Sequence, residues 1–134
     1  MKGRSGMKWA AVSFLILIIV ILLLADAGRM PEFLANLYNF PNGDKVGHFL
    51  LMGILGFLVN ASVLAAFPSK KPIRLVLTSS LILALLAGIE EWSQQFFSHR
   101  QASLVDLSSS LAGIAFFAWL AWMQQARKKT NRAN

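Results

Sequence analysis

The chain is 134 residues long, 56% hydrophobic and only 14% charged, with a mean hydropathy of +0.56, a formal charge of +7 and no cysteine. So apolar a composition excludes an ordinary soluble domain of this size and points to the bilayer as solvent. The length leaves room for one domain, residues 1–134, and the lack of cysteine excludes disulfides, thiolate chemistry and cysteine zinc sites.

The first apolar run covers residues 9–25. Lys2, Arg4 and Lys8 precede it, and Ala25-Asp26-Ala27 has the small-x-small form of a signal-peptidase site, so a cleaved secretory signal is the rival reading. The run is longer than the roughly 7–15 apolar residues of a signal core, and it is read as a retained membrane helix.

The connection that follows opens with Pro31-Glu32, as helix first turns often do, and places Phe33, Leu34, Leu37 and Tyr38 along one side. It predicts a short helix lying on the membrane interface, stopped by the turn Pro41-Asn42-Gly43.

The second apolar run covers residues 49–67, in a helix expected from 47 to 67. The third covers 73–89 and continues amphipathically to 97, and the fourth covers 104–123 in a helix starting at 103. Crossing a hydrocarbon core of roughly 30 Å takes about 17 to 25 mostly apolar helical residues, which all four runs supply. Backbone groups in lipid must be paired within the segment, so helices are expected rather than strands. The fold class is therefore all-α, an integral membrane bundle of four transmembrane helices.

Charge placement orients this bundle. Ten of the thirteen Lys and Arg residues fall in three places: Lys2, Arg4 and Lys8; Lys70, Lys71 and Arg74; and Arg127, Lys128, Lys129 and Arg132. By the positive-inside rule these are cytoplasmic, as are both termini. Bases at membrane flanks meet anionic headgroups, and without a basic face interleaved with aromatics no nucleic-acid partner is expected. All six acids, Asp26, Glu32, Asp44, Glu90, Glu91 and Asp106, then fall on the extracytoplasmic side.

These acids have company at one depth. Ala84, Gly88, Glu91 and Gln94–Gln95 follow at three- and four-residue steps, so Glu91 is expected to point into the bundle on a small-residue face and Glu90 to lie on another face, toward the headgroups. Ser103, Asp106, Ser110 and Gly113 form a stripe on the fourth helix, Asp44, Lys45 and His48 head the second, and Arg100 lies in the turn between the third and fourth. Counting histidine as neutral, Asp44, Lys45, Glu90, Glu91, Arg100 and Asp106 sum to −2, which leaves room for a proton, a cation or a basic ligand.

Taken together, Asp44-Lys45 with His48 at the head of a helix, Glu91-x-x-Gln94, Arg100, Asp106 and Gly113 resemble the pattern of the VanZ-like family of small membrane proteins, over about residues 44–117. One position departs: Ser110 stands where that family usually has Asn, and a hydroxyl lacks an amide's second donor. The resemblance implies a cytoplasmic-membrane protein connected with susceptibility to the lipoglycopeptide teicoplanin, a phenotype of the outer membrane face. It attaches no settled biochemical activity.

Each residue also has a structural role open to it. Ser103-x-x-Asp106 is a capping-box pattern, Asp44 complements a helix dipole, and Glu91 with Arg100 makes a structural ion pair. His48 with Glu91, Asp106 or His99 has metal-ligand chemistry without the tight spacing of a metal motif, so no metal and no cofactor are expected. Asn60 is expected to hydrogen-bond between helices, and Tyr38, Trp92, Trp119 and Trp122 to anchor at interfaces or face lipid.

Binding ranks first among functions. Asp44, Lys45, His48, Glu91, Gln94, Arg100, Asp106 and Ser110 would engage membrane lipids or lipid-linked envelope molecules, with Lys45 and Arg100 on an anionic group. A membrane-embedded enzyme using His48 or Glu91 as acid or base ranks second, since no Gly-x-Ser-x-Gly nucleophile motif is present. A transporter ranks third, its midplane binding groups being nearly absent here. A homodimer is compatible with so small a bundle.

Overall fold

The computed structural model describes residues 2–133, and among these all the regular structure is helical. Five α-helices follow in order: α1 (Lys2–Asp26), α2 (Glu32–Leu37), α3 (Gly43–Ala66), α4 (Pro72–Ser93) and α5 (Leu104–Ala133), with one 3₁₀ turn, Gln94–Phe96, closing α4. Helices α1, α3, α4 and α5 are each long and apolar enough to cross a membrane. The chain is read accordingly as a multi-pass membrane protein.

Local chemistry sets the helix ends. α1 stops in a Schellman motif: Gly28 adopts φ +65°, its N–H donates to Ala25 O at 3.0 Å, and Arg29 N–H donates to Leu24 O at 2.8 Å. The ring of His99 packs where a Cβ on Gly28 would sit, so the glycine serves both the turn and a close approach. α3 ends just before Phe67-Pro68, as the residue preceding a proline resists the helical conformation, and α4 restarts with Pro72 in its first turn.

Four boundaries differ from the sequence expectation. α1 starts at Lys2 rather than 9, so the basic residues before the apolar run belong to the helix. α3 starts at Gly43 rather than 47, which places Asp44 and Lys45 inside its first turn. The third span ends as a 3₁₀ turn at Phe96. α5 runs ten residues past 123, because hydropathy falls at Gln124-Gln125 while Gln, Ala, Arg and Lys remain good helix formers.

The core pair is α3 with α5. Gly53 lies against Phe117, and Gly113 lies against the backbone carbonyl of Phe49, so the two helices approach closely through small residues. α4 packs across α5 and α3, and α1 packs on α3. Ile18, Leu55, Leu83, Ala87 and Ile114 form one buried cluster, and Leu64, Val76 and Ala118 a second toward the other end.

The buried face of α4 is Val76, Ser79, Leu83, Ala87 and Glu91. Glu91 does point inward, but the small residue beneath it is Ala87, not Gly88, whose missing Cβ would meet nothing within 4 Å. Asn60, fully buried, joins α3 to α4: its Oδ1 accepts from Ser79 Oγ at 2.7 Å and its Nδ2 donates to Ser80 Oγ at 3.2 Å. This is the interhelical bond expected of it. Trp92 and Trp119 are exposed on the outside of the bundle.

Candidate functional site

The end of α1, the start of α3, the end of α4, the 97–103 turn and the start of α5 meet at one end of the bundle. Arg100 ties three of them together. Its Nη1 lies 3.4 Å from Asp26 Oδ1 and its Nη2 3.4 Å from Glu90 Oε1, with the guanidinium largely withdrawn from solvent. The sequence pairing of Arg100 with Glu91 is corrected here. Glu90 turns inward to meet the arginine, because the 97–103 turn carries Arg100 back over the α1 side of α4.

Glu91 has a different task. Its Oε1 accepts from the backbone N–H of Ser103 at 2.7 Å and its Oε2 from Gln94 Nε2 at 3.2 Å, and among the described residues no Lys, Arg or His nitrogen comes within 4.0 Å of it. It closes the seam between α4 and α5. Gln94 bridges the two acids, donating also to Glu90 at 3.0 Å.

Ser103 caps α5, its Oγ accepting from Asp106 N–H at 3.3 Å. In a full capping box the residue at Asp106 would reach back to Ser103 N–H, but Glu91 occupies that donor. Asp106 is released toward α3 instead. Its Oδ1 lies 3.5 Å from Lys45 Nζ, its Oδ2 4.0 Å from His48 Nε2, and Lys45 also reaches Asp44 at 3.0 Å. The other ring nitrogen of His48, Nδ1, is 3.2 Å from Ser110 Oγ.

These groups surround one end of a cavity of about 440 Å³ between α1 and α4, floored by α3 and α5. Its far wall is apolar, with Leu15, Ile18, Leu22, Leu55 and Leu83. Its near end is polar, with Asp44, His48, Glu90, Gln94, Arg100 and Asp106. The α1 wall runs from Leu15 to Ala25, about 15 Å at the helical rise. A site of this volume and mixed lining has the size and character of a small-molecule pocket.

Of the eight sequence candidates, Asp44, His48, Gln94, Arg100, Asp106 and Ser110 line the cavity, while Lys45 and Glu91 stand behind it. Outside those eight, Glu90, His99 and Tyr38 also line the cavity, and Asp26 joins its charged end through Arg100. Tyr38 packs its ring over Gly47, and His99 packs over Gly28. Gly47 adjoins His48 and Gly28 lies two residues from Asp26, a signal visible only once the partner ring is known. Among the described residues no group of three or more His, Asp or Glu side chains is gathered as a metal ion requires.

Comparison with family models, curated proteins and solved structures gives no match to this chain.

Proposed function

We propose that this chain is a VanZ-like protein of the cytoplasmic membrane that binds an amphiphile, such as an envelope lipid, a cell-wall precursor or a lipoglycopeptide, and so influences teicoplanin susceptibility. The carrying observation is the continuity of the cavity: an apolar wall about 15 Å long leads into a charged end that contains Arg100, Asp106 and His48. A chain-bearing molecule matches both halves at once. Apolar contacts along α1 and α4 would hold the tail, and directed hydrogen bonds at the end would select the headgroup. The basic clusters at Lys70-Lys71 and Arg127-Lys128-Lys129 favour an orientation with the charged cavity end on the extracytoplasmic side.

Native mass spectrometry of the protein released from lipid nanodiscs tests this. The wild type should retain a defined amphiphile, and Leu22→Trp, which fills the apolar wall, should lose it without loss of fold. Retention by Leu22→Trp equal to the wild type would remove the cavity as the binding site.

One observation favours a second reading, a membrane-embedded enzyme on a lipid-linked substrate. His48 stands between a hydroxyl and a carboxylate, with Nδ1 at 3.2 Å from Ser110 Oγ and Nε2 at 4.0 Å from Asp106 Oδ2, all three lining the cavity. That is the order of contacts in which a histidine activates a serine. Ser110 lies within regular helix, where the backbone amides are already paired, so an oxyanion would depend on side chains such as Gln94.

A further inference from the structure

Five carboxylates, Asp26, Asp44, Glu90, Glu91 and Asp106, share the charged end with two cations, Lys45 and Arg100, a formal sum of −3 with histidine counted as neutral. Both cations are already held between acids. Arg100 sits 3.4 Å from Asp26 and 3.4 Å from Glu90, and Lys45 sits 3.0 Å from Asp44 and 3.5 Å from Asp106. An anionic headgroup would compete with the carboxylates already beside both cations and would add to a surplus of like charge at low dielectric. This surplus favours a basic ligand over the anionic group that the sequence reading gave to Lys45 and Arg100.

The acid side is incompletely partnered. Asp106 is nine-tenths buried and lines the cavity, yet its Oδ1 accepts no hydrogen bond. Lys45 Nζ stands 3.5 Å from it, at the outer limit of a hydrogen bond. Among the described residues the Asp106 carboxylate is held only by this contact and by His48 Nε2 at 4.0 Å from Oδ2, so a closer donor brought into the cavity by a ligand would stabilise it. Glu90 lines the same cavity and receives only Gln94 and one long Arg100 contact.

We infer that the cavity selects amphiphiles whose headgroup carries an ammonium group, with its N–H donors directed to Asp106 and Glu90 and its chain along Ile18, Leu22 and Leu83. This rests on the amphiphile-binding reading above and narrows it to a headgroup chemistry. An aminophospholipid and a simple alkylamine both supply that group, and they differ in whether a phosphate accompanies it.

The test uses the full chain in nanodiscs containing phosphatidylethanolamine and phosphatidylglycerol in equal amounts with identical acyl chains, alone or with added hexadecylamine, read by native mass spectrometry. Phosphatidylethanolamine should be retained over phosphatidylglycerol by about tenfold, the scale of one charge-assisted hydrogen bond, and Asp106→Asn and Glu90→Gln should each erase most of that preference. Displacement of the phospholipid by hexadecylamine would support the inference with the ammonium group sufficient. Retention of phosphatidylethanolamine despite hexadecylamine would support it with the phosphate also read. Equal or greater retention of phosphatidylglycerol would overturn the inference and leave amphiphile binding standing, whereas retention of no lipid would overturn both. A preference unchanged in both variants, with melting temperatures equal to the wild type, would also overturn it.

Discussion

Glu91 on α4 accepts a 2.7 Å hydrogen bond from the backbone N–H of Ser103, the donor that Asp106 would take in an ordinary capping box. One acid thereby fastens α4 to the start of α5 and frees another to face the cavity. Glu91→Ala should leave the half-buried Ser103 N–H and one Gln94 donor unpaired, at about 1–3 kcal/mol. Thermal unfolding in detergent should register this as a lowered melting temperature. Glu91→Gln retains an acceptor for Ser103 and should be milder. Because Glu91 stands behind the cavity, Glu91→Gln should also keep its bound amphiphile; loss of the ligand from a protein of unchanged stability would place the carboxylate in the site itself.

Arg100 is the contact that closes the cavity end from the α1 side, spanning Asp26 and Glu90 at 3.4 Å each. In Arg100→Gln those acids face each other without the cation between them, and the last turn of α1 loses its tie to α4. Amide hydrogen exchange over residues 22–27 should accelerate by about tenfold, while α3 and α5 remain protected. Exchange unchanged in that turn would mean that the Schellman motif and the packing on α3 hold α1 without the arginine.

The contrast between two glycines checks the packing of the bundle. A Cβ on Gly113 would run into the backbone carbonyl of Phe49, which cannot move aside cheaply, whereas a Cβ on Gly88 would enter open space. Gly113→Ala should destabilise by about 1–3 kcal/mol through overpacking. Gly88→Ala should be neutral or stabilising by roughly 0.5–1 kcal/mol through helix propensity. Titration with a denaturing detergent should rank them in that order, and the opposite ranking would mean that α4, not the α3–α5 pair, makes the close helix contact.

The same glycines mark how much could be read before the structure. Four spans, the inward aim of Glu91 and an interhelical bond for Asn60 follow from hydropathy and helical spacing, since in lipid a polar side chain has few places to go. Choosing between Ala84–Gly88 and Leu83–Ala87 as the packed face of α4 was not possible, because adjacent stripes on an all-apolar helix carry the same hydropathy. The exchange of Glu90 for Glu91 at Arg100 was hidden for a related reason: it depends on the path of the 97–103 turn, which is neither helical nor periodic. Asp26 reaches the site from the last turn of α1 and His99 from a turn, and the sequence marks their meeting only by Gly28.

Orientation is open to a direct probe because the chain contains no cysteine. Gln101 and Ser69 are both exposed and lie in turns at opposite ends of the bundle. In intact cells Gln101→Cys should react with an impermeant maleimide and Ser69→Cys should react only after lysis. Labelling of Ser69→Cys alone would invert the bundle and put the charged cavity on the cytoplasmic side.

Ser110 separates binding from catalysis. Its Oγ lies 3.2 Å from His48 Nδ1 and it is almost fully buried. If the hydroxyl only partners the histidine, Ser110→Ala removes one neutral hydrogen bond, and ligand retention should fall by no more than about tenfold. If Ser110 is a nucleophile, the wild type should convert a chain-bearing ester in nanodiscs to its hydrolysed products, and Ser110→Ala should retain the intact ester while forming none. Mass spectrometry of the lipid fraction over hours reads both quantities in one sample. Intact ester on the wild type and the variant alike assigns the His48–Ser110 pair to holding α3 against α5 at the cavity end, and binding then stands as the site's whole chemistry.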